Sequence, residues 1–315
     1  MLATASGISS REYALPPIVR FSRPHTVLGT TISVCSVTFV AACSSHGKLS
    51  YNYLKPAQAL IPAVLMNVGI VGLNQVYDKK IDMVNKSYLP LASGEFSSSS
   101  ALLIVSLSVT CSLVLGMLLQ TLRAHLRAHS VLLLGVLYSV DWGLLRWKRY
   151  PILAATCIIL VRAFAVHIGF FLHARYASCT VTPHLVHASL SKLTVIVTIM
   201  SMYSVVIALF KDLPDISGDS LHGIKTVSVR FGVRRTFYFC VVLLLLASVC
   251  SESSSFTFRH LTFQNFKAAG HFCAATVMLV KARRVDISSS ASLHAYYMSI
   301  WRLFYLEYFL LPLLA

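Results

Sequence analysis

Long apolar stretches separated by short polar segments constrain this chain more than any other feature. They lie at 26–44, 57–77, 101–122, 130–145, 151–173, 193–210, 236–251, 268–280 and 293–314. A helix needs about 20 apolar residues to cross the hydrocarbon core of a bilayer, and several stretches reach that length. With 56% hydrophobic and 12% charged residues, the 315-residue chain is neither a soluble globular domain nor a disordered protein. We predict an all-α, polytopic membrane bundle of about nine transmembrane helices.

Basic residues outnumber acidic ones by 27 to 11, which gives a formal net charge of +16. In a soluble protein such an excess would indicate nucleic acid binding. Here the basic residues are spread over the loops between apolar stretches, so we predict no nucleic acid partner. If successive loops alternate sides, basic residues are about twice as numerous on the side of the amino terminus. That bias places the amino terminus on the cytosol-like side.

The acidic residues are rare and grouped. Five of the 11 lie in two segments, NQVYDKKID at 74–82 and KDLPDISGD at 211–219, each next to the end of an apolar stretch. Residues four apart share a helix face, so Asn74, Asp78 and Asp82 should align their side chains. Pro214 interrupts any helix through the second segment. The carboxylates of that segment belong to Asp212, Asp215 and Asp219.

Two interpretations of these segments stay open on the residues alone. A single Asp at a helix end needs no explanation beyond its polarity. Two acidic clusters on one membrane face instead favour a cation site, and oxygen ligands without His or Cys suit a hard cation such as Mg²⁺. Because Mg²⁺ is bound by one or two carboxylates plus substrate phosphates, we predict a Mg²⁺ and diphosphate site. Basic residues on the same face are Lys86, Arg146, Lys148, Arg149, Lys211 and Lys225.

Five segments, which together run from Phe21 to Pro312, resemble the UbiA superfamily of intramembrane aromatic prenyltransferases. They are FSRPHTVLGT, NQVYDKKIDMVNKSYLPLASGEFS, YSVDWGLLRWKRYP, KDLPDISGDSLHGIKTVSVRFG and WRLFYLEYFLLP. The similarity is to the plant branch that contains homogentisate phytyltransferases and the flavonoid and coumarin prenyltransferases. It implies a membrane domain over 21–315, preceded by a short tail, 1–20, as a remnant of a targeting region.

The resemblance also implies a site. Nine helices would surround a central cavity capped by two Asp motifs that bind Mg²⁺ and the diphosphate of an allylic donor. The metal ligands would be Asn74, Asp78, Asp82, Asp212, Asp215 and Asp219. The catalytic residues among them would be Asp78, Asp82, Asp215 and Asp219. Residues near the diphosphate would be Arg23, Lys86, Tyr138, Arg146 and Lys211.

The implied reaction transfers a prenyl group from an allylic diphosphate to the ring of a phenolic acceptor, through an allylic cation. Aromatic faces attract such a cation, and Tyr138, Phe164 and Tyr203 are candidates to line the cavity. The acceptor, whether homogentisate, a flavonoid or a coumarin, stays open, as do the donor chain length and the oligomeric state. The resemblance implies a plastid membrane, although no transit peptide is evident in the sequence.

Four places depart from the family's pattern: Ser87, Trp142–Gly143, Ser220 and the segment 174–192. None lies within the acidic motifs. We therefore expect these departures to affect the choice of acceptor and the efficiency of transfer before they affect the class of reaction. The alternative function is a cation-coupled transporter, since carboxylates in polytopic proteins often mark ion pathways. Transporters tend to hold such acids near mid-bilayer in broken helices, whereas here both clusters lie at helix ends between basic loops.

Overall fold

The computed structural model describes residues 14–43, 58–118, 122–143, 145–178, 183–255 and 261–311. Throughout these ranges the regular secondary structure is helical, and no strand occurs in them. The predicted all-α class is therefore confirmed. Residues 1–13 of the predicted tail and residues 179–182 of the divergent segment lie outside the described residues.

The helices follow the predicted order. The first are α1 (Pro17–Ser22), α2 (Pro24–Cys43), α3 (Leu60–Asn85), α4 (Ser98–Leu118) and α5 (Leu122–Ser139). A 3₁₀ turn at Trp147–Arg149 precedes a continuous rod made of α6 (Pro151–Ile159), a π-helical segment (Leu160–Ile168) and α7 (Gly169–Ser178). The remaining helices are α8 (Pro183–Phe210), α9 (Ile216–Leu221), α10 (Val227–Phe231), α11 (Val233–Ser255), α12 (Leu261–Arg283) and α13 (Ser290–Leu310).

Six helices in the described part of the chain are long and apolar enough to cross a membrane. They span Pro24–Ala41, Leu60–Asn85, Ser98–Leu118, Pro151–Arg175, Leu193–Phe210 and Val233–Ser251. The count of nine is approximate, because α5 offers only the shorter apolar segment Ala128–Ser139. In α13, Arg302 and Glu307 interrupt the apolar sequence. The prediction of a multi-pass membrane bundle is confirmed.

The main core lies between α2, α8, α11 and α13. Phe210, the last residue of α8, is fully buried there, with its ring centroid 5.3 Å from that of Tyr296 and 5.7 Å from that of Phe237. Within a membrane, close van der Waals packing of such side chains is what holds neighbouring helices together. The packing of Phe210 fixes the point at which the second acidic segment begins.

Helix α3 packs closely against α1 and α4 at Gly72. A Cβ at this position would lie 2.8 Å from ring carbons of Phe21 and 2.8 Å from Cγ2 of Val105. Real Cβ contacts are longer, so a side chain here would push α3 away from its neighbours. Gly72 therefore sets the position of the helix that carries the first acidic segment.

We expect Gly72→Ala to lower the stability of the detergent-solubilised protein by ~1–3 kcal/mol, because it overpacks this contact. Thermal unfolding measured by circular dichroism would report the loss. The matched control is Gly116→Ala in α4, where an added Cβ would meet nothing within 4 Å. Equal unfolding temperatures for the two variants would contradict the interpretation of the Gly72 contact.

Candidate active site

Two cavities meet inside the bundle. The larger, which we call the apolar chamber, has a volume of about 340 Å³ and is lined mostly by apolar side chains such as Met66, Ile70 and Val131. The smaller, the acidic pocket, has a volume of about 100 Å³ and contains both acidic segments. Residues that line both cavities are Arg23, His25, Asn74, Tyr138, Ile158, Ala208, Lys211 and Tyr297. A ligand can therefore place a polar end in the pocket and an apolar end in the chamber.

Three residues of the first acidic segment, Asn74, Asp78 and Asp82, lie on one face of α3, which continues beyond its apolar part as far as Asn85. Asn74, Asp78 and Asp82 all line the acidic pocket, and the two carboxylates are only 6% and 4% exposed. The four-residue spacing thus aligns these side chains as expected. Oδ2 of Asp82 and Nδ2 of Asn74 are buried and make no hydrogen bond.

The second acidic segment follows the end of α8 as a turn around Pro214. Ser228 Oγ, from α10, donates a 3.1 Å hydrogen bond to the carbonyl oxygen of Asp212. Ser290 Oγ, at the start of α13, donates to the carbonyl oxygen of Pro214 at 3.0 Å. The turn thus places the side chains of Asp212, Asp215 and Asp219 in the acidic pocket.

Asn85 joins the two acidic segments directly. Its Nδ2 donates to the carbonyl oxygen of Asp215 at 2.9 Å, and its Oδ1 accepts from the backbone N–H of Gly218 at 2.9 Å. A Cβ at Gly218 would lie 2.5 Å from Asn85 Oδ1, so glycine is required for this approach. Asn85 was not among the site residues predicted from the sequence, although it directly precedes the predicted residue Lys86.

Every acidic side chain of the first segment faces a cation. Asp78 forms ion pairs with Lys148 and, at 3.4 Å, with Arg146. Asp82 lies 3.6 Å from Arg23 and 4.0 Å from Lys86. These pairs place a positive charge beside each buried carboxylate and so offset the repulsion between the two carboxylates.

The second segment is paired in the same way. Lys86 Nζ donates to Oδ2 of Asp215, and Lys211 lies 3.6 Å from Oδ1 of Asp212. Lys211 Nζ also donates to the hydroxyl of Tyr138, which places Tyr138 at the boundary between pocket and chamber. Lys86 thus bridges the two acidic segments, because it also faces Asp82.

Burial and charge act together on the groups of this pocket. Burial alone would lower the pKa of Lys86, but the carboxylates of Asp215 and Asp82 more than offset it and raise the pKa above its usual value. Burial, followed by the charges of Asp212 and Asp215, raises the pKa of Asp219 to about 7. Additional positive charge near Asp219 would favour its ionised form.

Two of the basic side chains sit on strained backbone. Arg23, between α1 and α2, has φ of 50°, and Arg146, before the 3₁₀ turn, has φ of 62°. Within the described ranges they are the two non-glycine residues in the left-handed region. Such a conformation costs about 1–3 kcal/mol per residue and persists where surrounding structure enforces it, often at functional sites. Both side chains reach carboxylates of the first acidic segment, and Arg146 also pairs with Asp141.

The structure does not bring all the predicted side chains to the site. Lys225 and Arg149 are exposed, and Arg149 pairs with Asp141 at 3.2 Å instead. Tyr203 is buried in the core, where its hydroxyl donates to Glu307 at 2.8 Å, so its expected place in the cavity wall was wrong. The side chain of Phe164 lies outside the described part of the structure.

Aromatic residues that were not predicted from the sequence also line the apolar chamber. They are Phe170, Tyr297 and Trp301. Tyr297 and Trp301 are four residues apart in α13, with ring centroids 6.3 Å apart. This i, i+4 spacing was the available signal, but in a chain with 17 Phe and 14 Tyr it does not single out two rings.

Comparisons with known proteins identify the family. The UbiA prenyltransferase family matches residues 33–303. Homogentisate phytyltransferase 1, chloroplastic, of Arabidopsis thaliana is 40% identical over 305 residues, which cover 96% of this chain and 76% of that protein. Glycinol 4-dimethylallyltransferase of Glycine max is 33% identical over 98% of this chain and 74% of its own length.

A solved structure supports the same fold. The UbiA homolog from Archaeoglobus fulgidus bound to GPP and Mg²⁺ has a TM-score of 0.62 and 16% identity, and the match covers 94% of this chain and 99% of that one. The predicted resemblance, the enzyme class and the multi-pass membrane location are confirmed, and the chloroplastic relative agrees with a plastid membrane. The two acidic segments, the pocket they share and the chamber beside it are thus those of a chain that belongs to the UbiA prenyltransferase family.

Proposed function

We propose that this chain is a Mg²⁺-dependent aromatic prenyltransferase that transfers a prenyl group from an allylic diphosphate to a phenolic ring. One observation carries the proposal. Both acidic segments and the cations Arg23, Lys86, Lys148 and Lys211 line a polar pocket that opens into an apolar chamber. An amphiphilic donor, with a charged diphosphate and an isoprenoid chain, matches this division of polarity.

The metal-ligating atoms that the pocket offers fit Mg²⁺. The pocket offers carboxylate and amide oxygens, and the buried Oδ2 of Asp82 accepts no hydrogen bond. Over the described residues, no three His, Cys, Asp or Glu side chains come close enough together to hold an ion by themselves. That finding is compatible with Mg²⁺, which takes one or two carboxylates and completes its shell with waters and substrate phosphates.

Mg²⁺ would be held by carboxylates of both segments and would neutralise the charge that develops on the departing diphosphate. The side chains proposed as its ligands are Asn74, Asp78, Asp82, Asp212, Asp215 and Asp219. We assign the catalytic role to Asp78, Asp82, Asp215 and Asp219. These are the four proposed metal ligands for which the family resemblance also implies a catalytic role.

The basic side chains would bind the diphosphate. Lys86 and Lys211 already face carboxylates in the pocket, and each can exchange that partner for a phosphate oxygen without losing a counter-charge. Arg23, which lines the pocket, and Arg146, which contacts its lining residue Asp78, offer planar guanidinium groups that suit two oxygens at once. Tyr138, whose hydroxyl accepts from Lys211, would sit beside the carbon that the diphosphate leaves.

The apolar chamber would hold the isoprenoid chain and exclude water from the reaction. When the carbon–oxygen bond breaks, both electrons go to the diphosphate and an allylic cation remains. Aromatic faces attract a cation by ~0.5–2 kcal/mol each, and Tyr138, Tyr297 and Trp301 line the chamber. The acceptor ring then supplies an electron pair to the cation and releases a proton, which balances the transfer.

The relatives support a choice among acceptors. The relative that is 40% identical acts, by its name, on homogentisate, and the one that is 33% identical acts on glycinol. We therefore propose homogentisate as the first acceptor to test and phytyl diphosphate as the first donor. A cation-coupled transporter is not favoured, because the acids lie together at one end of the helices, next to the chamber.

The test is transfer in membranes that contain the expressed protein. We expect a prenylated phenol, identified by mass, from a matrix of phytyl, geranyl and dimethylallyl diphosphates against homogentisate, a flavonoid and a coumarin. Excess chelator should abolish the product and added Mg²⁺ should restore it, since the ligands hold a hard cation. Product formation that persists in chelator would contradict the metal role, and no product from any pair would contradict the function.

A further inference from the structure

One cation lies inside the apolar chamber, away from the acidic pocket. Arg162 belongs to the π-helical segment Leu160–Ile168 and lines the chamber but not the pocket. Its guanidinium carbon lies 5.7 Å from the ring centroid of Trp301 and 5.2 Å from that of Phe304. The hydroxyl of Tyr308 accepts a hydrogen bond from Arg162, and the side chains of Tyr305 and His167 are further polar neighbours. Across the described ranges, no ion pair involves Arg162.

A guanidinium within a transmembrane segment without a carboxylate partner is costly, and such residues usually face a partner or a substrate. The rings of Trp301 and Phe304 attract the guanidinium as a cation but offer it no hydrogen-bond acceptor. Its five N–H donors point outward in the guanidinium plane and call for acceptor oxygens. Arg162 also lies on a π-helical segment, a form that occurs frequently at functional sites.

The position of Arg162 identifies which substrate would supply those oxygens. Ile158, four residues earlier, lines both cavities, and so does Tyr297, which packs against Trp301. Arg162 is therefore about one helical turn from the boundary, on the chamber side. Under the proposed function the diphosphate lies in the pocket and the isoprenoid chain is apolar, so the acceptor is the substrate that would bring an anion into the chamber.

We propose that Arg162 binds the carboxylate of an aromatic acid acceptor and so places the acceptor ring between the chamber wall and the reactive carbon of the donor. The inference rests on the proposed function and extends it by assigning the acceptor subsite. A guanidinium binds a carboxylate with two parallel N–H···O bonds, which fixes orientation as well as affinity. Stacking on Trp301 and Phe304 holds the guanidinium ready for that contact.

The test compares 2,5-dihydroxyphenylacetate with its methyl ester, which keeps the ring and loses the charge. In the unaltered protein we expect the acid to bind about tenfold more tightly than the ester, as a charge-assisted hydrogen bond predicts. Binding without donor can be followed by tryptophan fluorescence, because Trp301 adjoins the subsite. Turnover with saturating donor gives kcat and KM for each acceptor.

Arg162→Gln should raise the KM and the Kd of the acid about tenfold or more, and leave the values of the ester and of the donor within about twofold. Arg162→Lys should recover part of the acid's affinity. The matched control is Arg302→Gln, an arginine within α13 that is exposed and lines neither cavity; it should change neither acceptor's values.

Equal affinity of the unaltered protein for acid and ester would overturn the proposal, and this comparison needs no variant to fold. Equal losses for both acceptors in Arg162→Gln would also overturn it, because they would indicate a purely structural role. Failure of the proposed function looks different. In that case the unaltered protein transfers no prenyl group to either acceptor, while the two dissociation constants still decide the role of Arg162.

Discussion

Replacing Asp215 with alanine is expected to lower prenyl transfer by about 1000-fold or more while the protein stays folded in the membrane. The Asp215 carboxylate lies in the acidic pocket and pairs with Lys86, which also faces Asp82 across the site. The change removes a proposed metal ligand and leaves Lys86 with one counter-charge at 4.0 Å. Catalysis depends on charge stabilisation at the diphosphate, so this loss should fall mainly on kcat.

Initial rates in membranes with matched protein levels would measure the effect, and size-exclusion chromatography in detergent would report folding. Asp286→Ala is the matched control, since Asp286 is an exposed aspartate near the start of α13 whose carboxylate accepts hydrogen bonds from Ser288 and Ser289 in its own turn. Activity close to that of the unaltered protein in Asp215→Ala would remove the second acidic segment from the mechanism. The corresponding change in the first segment, Asp78→Ala, should be similarly inactive.

The sequence was sufficient for the fold because bilayer-spanning helices leave a strong one-dimensional signal. Each apolar stretch corresponds to a long helix in the described residues, and the longest, 151–173, matches the rod from Pro151 to Ser178. The hydropathy signal is weaker at the ends of the helices. The stretch predicted over 57–77 continues as helix through Asp78 and Asp82 to Asn85, because polar residues at the membrane surface extend a helix without being apolar.

The candidate site was predictable in part for a similar reason. Asn74, Asp78 and Asp82 share a face by helical periodicity alone, and Pro214 marks the break that turns the second segment towards the pocket. Lys148 and Arg149 are adjacent in sequence, yet Lys148 pairs with Asp78 and Arg149 is exposed. The 3₁₀ turn that contains both residues directs their side chains differently. Their spacing in the sequence does not reveal this difference.

The remaining features depend on contacts between distant segments. The left-handed backbone of Arg23 and Arg146 is imposed by surrounding structure, since an isolated arginine avoids it. In the sequence, Arg162 is one basic residue within the apolar stretch 151–173, and only the packing of α13 against the rod places Trp301 and Phe304 over it. Periodicity describes one helix at a time, so it does not contain these pairings.

Gly218→Ala is expected to lower activity by about 10- to 100-fold through geometry rather than chemistry, because it removes no ligand. The new Cβ would lie 2.5 Å from Asn85 Oδ1, which is itself held by the N–H of Gly218, while Nδ2 donates to the carbonyl of Asp215. Either Asn85 or α9 has to move. Displacement of α9 would carry Asp215 and Asp219 away from the first acidic segment.

A double-mutant cycle with Asn85→Ala separates this clash from other effects. Asn85→Ala removes two hydrogen bonds of about 0.5–1.5 kcal/mol each, and it also removes the atoms that the new Cβ would meet. Gly218→Ala should therefore cost much less in the Asn85→Ala background, with an interaction energy of about 0.5–3 kcal/mol in unfolding and in rate. Gly270→Ala is the control, since its Cβ would make an ordinary 3.9 Å contact with Leu310. Its effects on unfolding and on rate should be additive with those of Asn85→Ala. If the effects of Gly218→Ala and Asn85→Ala are also additive, Asn85 does not hold the two acidic segments in position.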